Sequence, residues 1–248
     1  MHNSQRDAND HYLDLPSTIE DGGSSHPLAA WRVFHILSVT YPLAEMKDEF
    51  LHFQTPFQSL IATILSAQTT DIAVNAVTPE LFSHYPSPAA LALAQQEDVE
   101  AIIRRTGFYR SKAKNIIATA QMLVAEFEGV VPADMEQLQR LPGVGRKTAN
   151  IVMSHAFSCN VGIAVDTHVK RISMRLGLTT HSDPNLIEKD LCSLFPREWW
   201  EDINSLFILH GRRICNAQRP KCEICVLSTY CAYLAQVRTE GTYSRSKL

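Results

Sequence analysis

The residues in this chain that could do chemistry lie in its second half, and the first is Lys147. It sits in the segment Leu138 to Asn150, LQRLPGVGRKTAN. A helix carrying Met135, Leu138 and Leu141 must stop at Pro142, because the residue before a proline avoids the helical region. Gly143 and Gly145 permit a tight hairpin, and Val144 between them can pin it to a core. A second helix then starts near Arg146 and runs to about Ala156. The unpaired N–H groups at its start, with the positive end of the dipole behind them, suit a DNA phosphate and read no base. Lys147 in that first turn has two readings. It is a solvated lysine touching phosphate, or an amine that the helix terminus and Arg146 keep neutral, able to attack a nucleoside sugar carbon and form a Schiff base. The string Gly145-Arg146-Lys147-Thr148 is not a nucleotide-binding loop. It lacks the Gly before the lysine and the earlier Gly, and it follows a helix rather than a strand.

Asp166, in AVDTHV, comes nineteen residues after Lys147. An Asp before Thr167-His168 and a periodic helix is an N-cap. It could also face the amine across a cleft and stabilise a cationic sugar. His168 reads as a structural residue or a phosphate contact. Of six Cys, Cys159 and Cys192 stand alone and read as buried small apolar residues. Cys215, Cys222, Cys225 and Cys231 have the spacing C-x6-C-x2-C-x5-C. In a chain that stays inside the cell this is a metal site, and four thiolates fit zinc or a [4Fe-4S] cluster. Only one C-x2-C hook is present, which leans toward iron–sulfur.

The elements that must hold these residues are helical. Gln58 to Gln68 places Leu60, Ile61, Ile64 and Leu65 on one face. Lys112 to Phe127 repeats this with Ile116, Ile117, Ala120, Leu123, Val124 and Phe127. Thr167 to Leu176 carries Val169, Ile172 and Leu176. No long run alternates with period two, and Pro or Gly marks short connections, so the fold class is all-α.

The 248 residues are 45% hydrophobic and 20% charged, ordinary for a globular chain. No apolar run reaches the length of a membrane span. The start is polar, with nothing like a secretory signal, so a cytoplasmic location is expected. Net charge is -3, which at first disfavours DNA as a partner. However, residues 1–30 alone contribute -4, leaving the rest at +1. Basic residues gather over 140–175 and 205–248, the latter including Arg212, Arg213, Arg219 and Lys221. These runs read as solvated faces or as a phosphate-binding surface.

With LPGVGRKTAN, AVDTHV and the cysteine spacing in this order, the chain over about residues 28–235 resembles the endonuclease III family of DNA glycosylases. The resemblance implies two helical lobes with duplex DNA between them. One is a barrel over 49–159 that contains the helix-hairpin-helix. The other combines 28–48 with 160–240 and holds a [4Fe-4S] cluster on Cys215, Cys222, Cys225 and Cys231. Residues 1–27 and 241–248 are expected to be flexible tails. The resemblance makes Lys147 the Schiff-base nucleophile and Asp166 the essential carboxylate. It makes Gln68 the filler of the gap left by an extruded base. Phe108 falls where bacterial members carry a leucine wedge, and an aromatic there could stack on the orphan base. Gly143, Val144, Gly145, Arg146, His168, Arg212 and Arg213 join Gln68 and Phe108 as expected DNA contacts. The implied activity is excision of oxidised or ring-saturated pyrimidines followed by β-elimination, by a monomeric bacterial enzyme acting at the nucleoid. The competing readings are a monofunctional glycosylase for mismatched T, U or adenine, which Lys147 disfavours, and a non-catalytic DNA-binding module with structural zinc.

Overall fold

Local sequence signals write most of the helix starts. The computed structural model describes residues 26–239, and every regular element among them is helical, as the patterning predicts. In chain order the α-helices among the described residues are α1 (His26–Thr40), α2 (Pro56–Leu65), α3 (Asp71–Asn75), α4 (Thr78–His84), α5 (Pro88–Ala92), α6 (Gln96–Ile103), α7 (Tyr109–Glu126), α8 (Met135–Arg140), α9 (Arg146–Phe157), α10 (Thr167–Leu176), α11 (Pro184–Leu194), α12 (Trp200–Arg213) and α13 (Ala232–Thr239). Thr55, Thr70, Ser87, Asp134, Asp166 and Asp183 each accept backbone N–H groups of the helix they precede. Three of these caps are followed by proline, which suits a first helical position where no N–H partner exists. Helix α1 takes in His26 and Pro27, assigned above to the tail; the rest of that expected tail, and residues 241–248, lie outside the described residues.

Two hydrophobic cores form. The first gathers Leu60, Ile61, Leu65, Leu81, Ile103, Ile116, Leu123, Leu138 and Val152, from α2 through α9. Helix α2 is buried over nearly its whole circumference and packs on α7 and α9. The second core gathers Phe34 and Leu37 of α1 with Val169, Ile172, Ile187, Leu191, Leu206 and Phe207. The chain therefore starts in the second core, builds the first, and returns. Between them, α9 ends the first core and α10 resumes the second.

Three local expectations change. Helix α2 ends at Leu65 instead of reaching Gln68. Beyond Leu65 nothing apolar remains to bury, Ser66 Oγ donates back to Thr63 O at 2.9 Å, and Gln68 turns left-handed. Val124 is exposed although it shares the face of Ile117 and Ala120, because the buried stripe of α7 runs out at Leu123 near the end of the helix. Cys159 and Cys192 are half-buried, one against each core. No helix among the described residues is long and apolar enough to cross a membrane.

Phe34 is fully enclosed and stacks on Trp199 with ring centroids 4.1 Å apart. Phe34→Ala should therefore lower unfolding free energy by roughly 3–5 kcal/mol in a urea titration. Val124→Ala should change it by no more than about 0.5 kcal/mol. Equal shifts would contradict the assignment of the two positions.

Candidate active site at the junction of the two cores

The hairpin is built as its sequence demands, with one exception. Leu141 leaves α8 at φ −71°, ψ 138°, extended as a residue before proline must be. Gly143 has φ +78°, and a Cβ there would meet Asn115 Nδ2 at 3.0 Å and Ile64 Cγ2 at 3.2 Å. Both conformation and space call for glycine. Gly145 is different: its φ of −93° and ψ of 179° suit any residue, and a Cβ would meet nothing within 4 Å. Its contribution is a bare N-cap. The first backbone bond of α9 runs from Ala149 N to Gly145 O, so the N–H groups of Arg146, Lys147 and Thr148 precede it. Val144 is buried and gives its N–H to Leu141 O at 3.1 Å. Its side chain anchors the hairpin to the first core, as the sequence predicts.

Lys147 is exposed, and its side chain has no hydrogen bond or ion pair among the described residues. Arg146 beside it is engaged. Its Nε donates to Glu188 Oε2 at 2.7 Å and its terminal nitrogen to Oε1 at 3.1 Å. That hydrogen-bonded carboxylate raises the pKa of Arg146, and it offsets the charge that Arg146 was expected to present to phosphate and to Lys147. Glu188 is nearly buried on α11 and also accepts from Asn150 Nδ2 at 3.0 Å. Gly162 leaves room for it, since a Cβ there would lie 1.9 Å from Glu188 Oε1.

Asp166 Oδ1 accepts from His168 N at 2.7 Å and from Val169 N at 2.8 Å, capping α10. Its Oδ2 has no hydrogen-bond partner among the described residues, so one oxygen holds the helix and the other is available. His168 reports what surrounds this point. Burial lowers its pKa; Asp166 opposes that, and Arg171, Arg212 and Lys147 reinforce it. Arg171 reaches His168 Nδ1 at 3.1 Å, and since a guanidinium can only donate, the neutral ring carries its proton on Nε2. A Cβ on Gly211 would fall 2.5 Å from His168 Nδ1, so glycine there admits the pair.

The expected cationic strip is largely spent inside the molecule. Arg212 donates to Asp71 Oδ2 at 2.9 Å and to Glu49 O at 3.0 Å, and Arg213 pairs with the Glu49 carboxylate. These contacts join α12 to α3 and to the segment before α2. Arg171 and Arg175 give donors to the carbonyls of Gly211, Cys215, Asn216 and Ala217. Arg219 and Lys221 are exposed, and no side-chain partner is formed among the described residues.

Gln68 and Phe108 occupy separate loops in the same unusual state. Their φ values are 53° and 46°, and both side chains are exposed, Phe108 to 69%. Left-handed backbone disfavours residues with a Cβ, so the surrounding structure must hold both.

Cys215, Cys222, Cys225 and Cys231 line one small space, walled by Ile214, Pro220 and Leu234. Burial raises the Cys222 thiol pKa, and the sulfurs of Cys231 and Cys215 raise it further. Cys225 and Cys231 are also raised, burial again first. Four cysteines lining one space are the donor types a four-thiolate centre needs, although among the described residues no three such side chains converge as a metal-ion site. Arg175 reaches Cys215 Sγ at 3.2 Å, tying this loop to α10.

Glu188, Asn150, Gly162 and Gly211 escaped the sequence reading. Their partners lie tens of residues away, and a lone Gly in a helix or loop was the only trace.

The family model for HhH-GPD superfamily base excision DNA repair protein matches residues 61–197. An endonuclease III from a Synechocystis species is 50% identical over 202 residues, covering 82% of this chain and 91% of the relative. A solved non-covalent endonuclease III–DNA complex superimposes with a TM-score of 0.76 at 40% identity, covering 84% of this chain and 96% of that one. A trapped endonuclease III–DNA covalent intermediate, an estranged-adenine complex, gives the same TM-score and identity over 84% and 98%.

Removing the Glu188 carboxylate strands a buried Asn150 donor, while half-exposed Arg146 can rehydrate. Glu188→Ala should therefore cost roughly 1–3 kcal/mol in urea unfolding. Glu188→Gln, which keeps an acceptor for Asn150, should cost less. Equal losses would show that the Asn150 bond contributes nothing.

Proposed function

The chain belongs to the endonuclease III family, and from that membership we propose that Lys147 and Asp166 carry its chemistry. It is a bifunctional DNA glycosylase and abasic-site lyase that removes oxidised pyrimidines in base excision repair. One observation supports the residue assignment: Lys147 is exposed with no side-chain partner among the described residues, and Asp166 caps α10 with one carboxylate oxygen while the other stays free.

The substrate is duplex DNA with a damaged pyrimidine, bound between the barrel of residues 49–159 and the lobe formed by 28–48 with 160–240. The chain acts as a monomer in the bacterial cytoplasm. The bare N–H groups opening α9 hold a phosphate flanking the lesion. The base must leave the stack, which costs a few kcal/mol and least for a damaged base. Gln68 fills the space it leaves, and Phe108 stacks on the orphan partner.

The Lys147 nitrogen attacks C1′. The bond from C1′ to the base breaks, and the base departs with that electron pair and takes up a proton. The Asp166 carboxylate faces the positive charge that develops on the sugar, and its free oxygen relays the proton lost by the amine. The C1′–O4′ bond then opens to an imine, with O4′ protonated. Loss of a proton from C2′ expels the 3′ phosphate oxygen with the C3′–O electron pair, and the strand is cut.

The residues at the thiol site fit a [4Fe-4S] group held by Cys215, Cys222, Cys225 and Cys231. When bound it supplies four covalent ties that fold the loop bearing Arg219 and Lys221 against α10. Iron and sulfide analysis of anaerobically handled protein should give about four of each per chain. Stoichiometric zinc without sulfide would overturn the cluster.

The residue assignment is tested by single-turnover assay on thymine-glycol duplex. Lys147→Ala should leave no strand cleavage. Asp166→Asn should slow excision roughly 10²–10³-fold. Asn still caps α10, so stability should move by less than about 1 kcal/mol. Wild-type excision by Asp166→Asn, or cleavage by Lys147→Ala, would overturn the roles.

A further inference from the structure

Lys112 is a buried lysine that the chemistry above does not use. It lies in the first turns of α7, only 4% exposed. Its Nζ donates to Thr69 Oγ1 at 2.7 Å and to the Thr106 carbonyl at 2.7 Å. The Thr69 hydroxyl in turn donates to that same carbonyl. Its backbone N–H donates to Phe108 O at 3.0 Å. Thr69 follows Gln68, and Thr106 precedes Gly107 and Phe108. One residue therefore holds the chain on both sides of Phe108 and also ties it to the loop of Gln68.

Two features set this apart from ordinary core packing. No carboxylate pairs with Lys112 among the described residues, so burial of its charge is answered only by a carbonyl and a hydroxyl. Burial lowers its pKa. An apolar side chain would fill the same volume without that cost, which leaves the hydrogen bonds as its contribution. Second, what it ties are loops whose exposed tips, Gln68 and Phe108, both hold left-handed backbone that would relax if released. A second nucleophile is not indicated, because Nζ is committed to two acceptors away from solvent.

We infer that Lys112 is a positioning residue that locks the Gln68 loop to the Phe108 loop, so that both enter the duplex as one rigid unit. This rests on the proposed roles of Gln68 and Phe108. Gly107, with φ +64° and open space around it, lets the chain turn into Phe108 between the two anchor points.

The test is a cycle on thymine-glycol duplex with 2-aminopurine opposite the lesion, reading both the rate of the fluorescence change on insertion and single-turnover excision. Lys112→Met should slow both by about tenfold, since a misplacement of about 1 Å is enough for such losses. Thr69→Val, a near-isosteric change, should slow them in the same direction and serves if Lys112→Met folds poorly. In a Gln68→Ala/Phe108→Ala background, adding Lys112→Met or Thr69→Val should cost no more than about twofold, because the tips they position are gone. If the double background itself inserts and excises like the wild type, the roles of Gln68 and Phe108 fail, and this inference with them. If that background is slow but Lys112→Met and Thr69→Val act as fast as wild type, the positioning role alone is overturned. An undiminished penalty in the background would overturn it equally.

Discussion

One carboxylate, Glu188, is bonded at once to Arg146 and Asn150 of α9 while its own helix, α11, packs in the core that holds α10. The arrangement of the site depends on this. Lys147 is the next residue along α9 from Arg146, and Asp166 opens α10. The amine belongs to one core and the carboxylate to the other, so their separation is set by whatever joins α9 to α11. The Arg146 side of the pair is half exposed, and its Coulomb energy is therefore modest. Its value is geometric: two parallel bonds fix the guanidinium, a third bond fixes Asn150 one turn farther on, and Gly162 keeps the space open.

Arginine is used in the same way elsewhere in the fold. Arg212 and Arg213 reach from α12 to Asp71 and Glu49, and Arg171 and Arg175 hold the cysteine loop against α10. A near-neutral body with two basic runs suggested a strip of charge facing DNA. In the folded chain Arg146, Arg212 and Arg213 brace the junction, and Arg171 and Arg175 hold the cysteine loop. Among the described residues of these runs, Lys147, Arg219, Lys221 and Arg238 have exposed side chains without a partner, beside the bare N–H groups of α9. Such a surface relies on oriented backbone dipoles as much as on net charge.

How much of this could be read from the sequence follows the range of each interaction. Helix starts, the stop at Leu141 and the turn at Gly143 depend on residues within four positions, and they were legible. So was the cap made by Asp166, and with it the family motifs that named the candidate pair. What needed the folded chain was the destination of long side chains. The partner of Arg146, Glu188, lies 42 positions away and left no local signal. Val144 pins the hairpin, as its place between two glycines suggested. Lys112, which opens the periodic stretch of 112–127, is buried between two loops. The end of α2 also escaped, because it is set by where burial stops and not by a breaker residue.

The central claim is that Lys147, and no other amine, becomes joined to the sugar. It is tested most directly by borohydride reduction of the enzyme during turnover on a lesion-bearing duplex, followed by protease digestion and mass spectrometry of the DNA-linked peptide. The account predicts the sugar remnant on Lys147. Recovery of the remnant on another lysine, or on the chain's amino terminus, would contradict it.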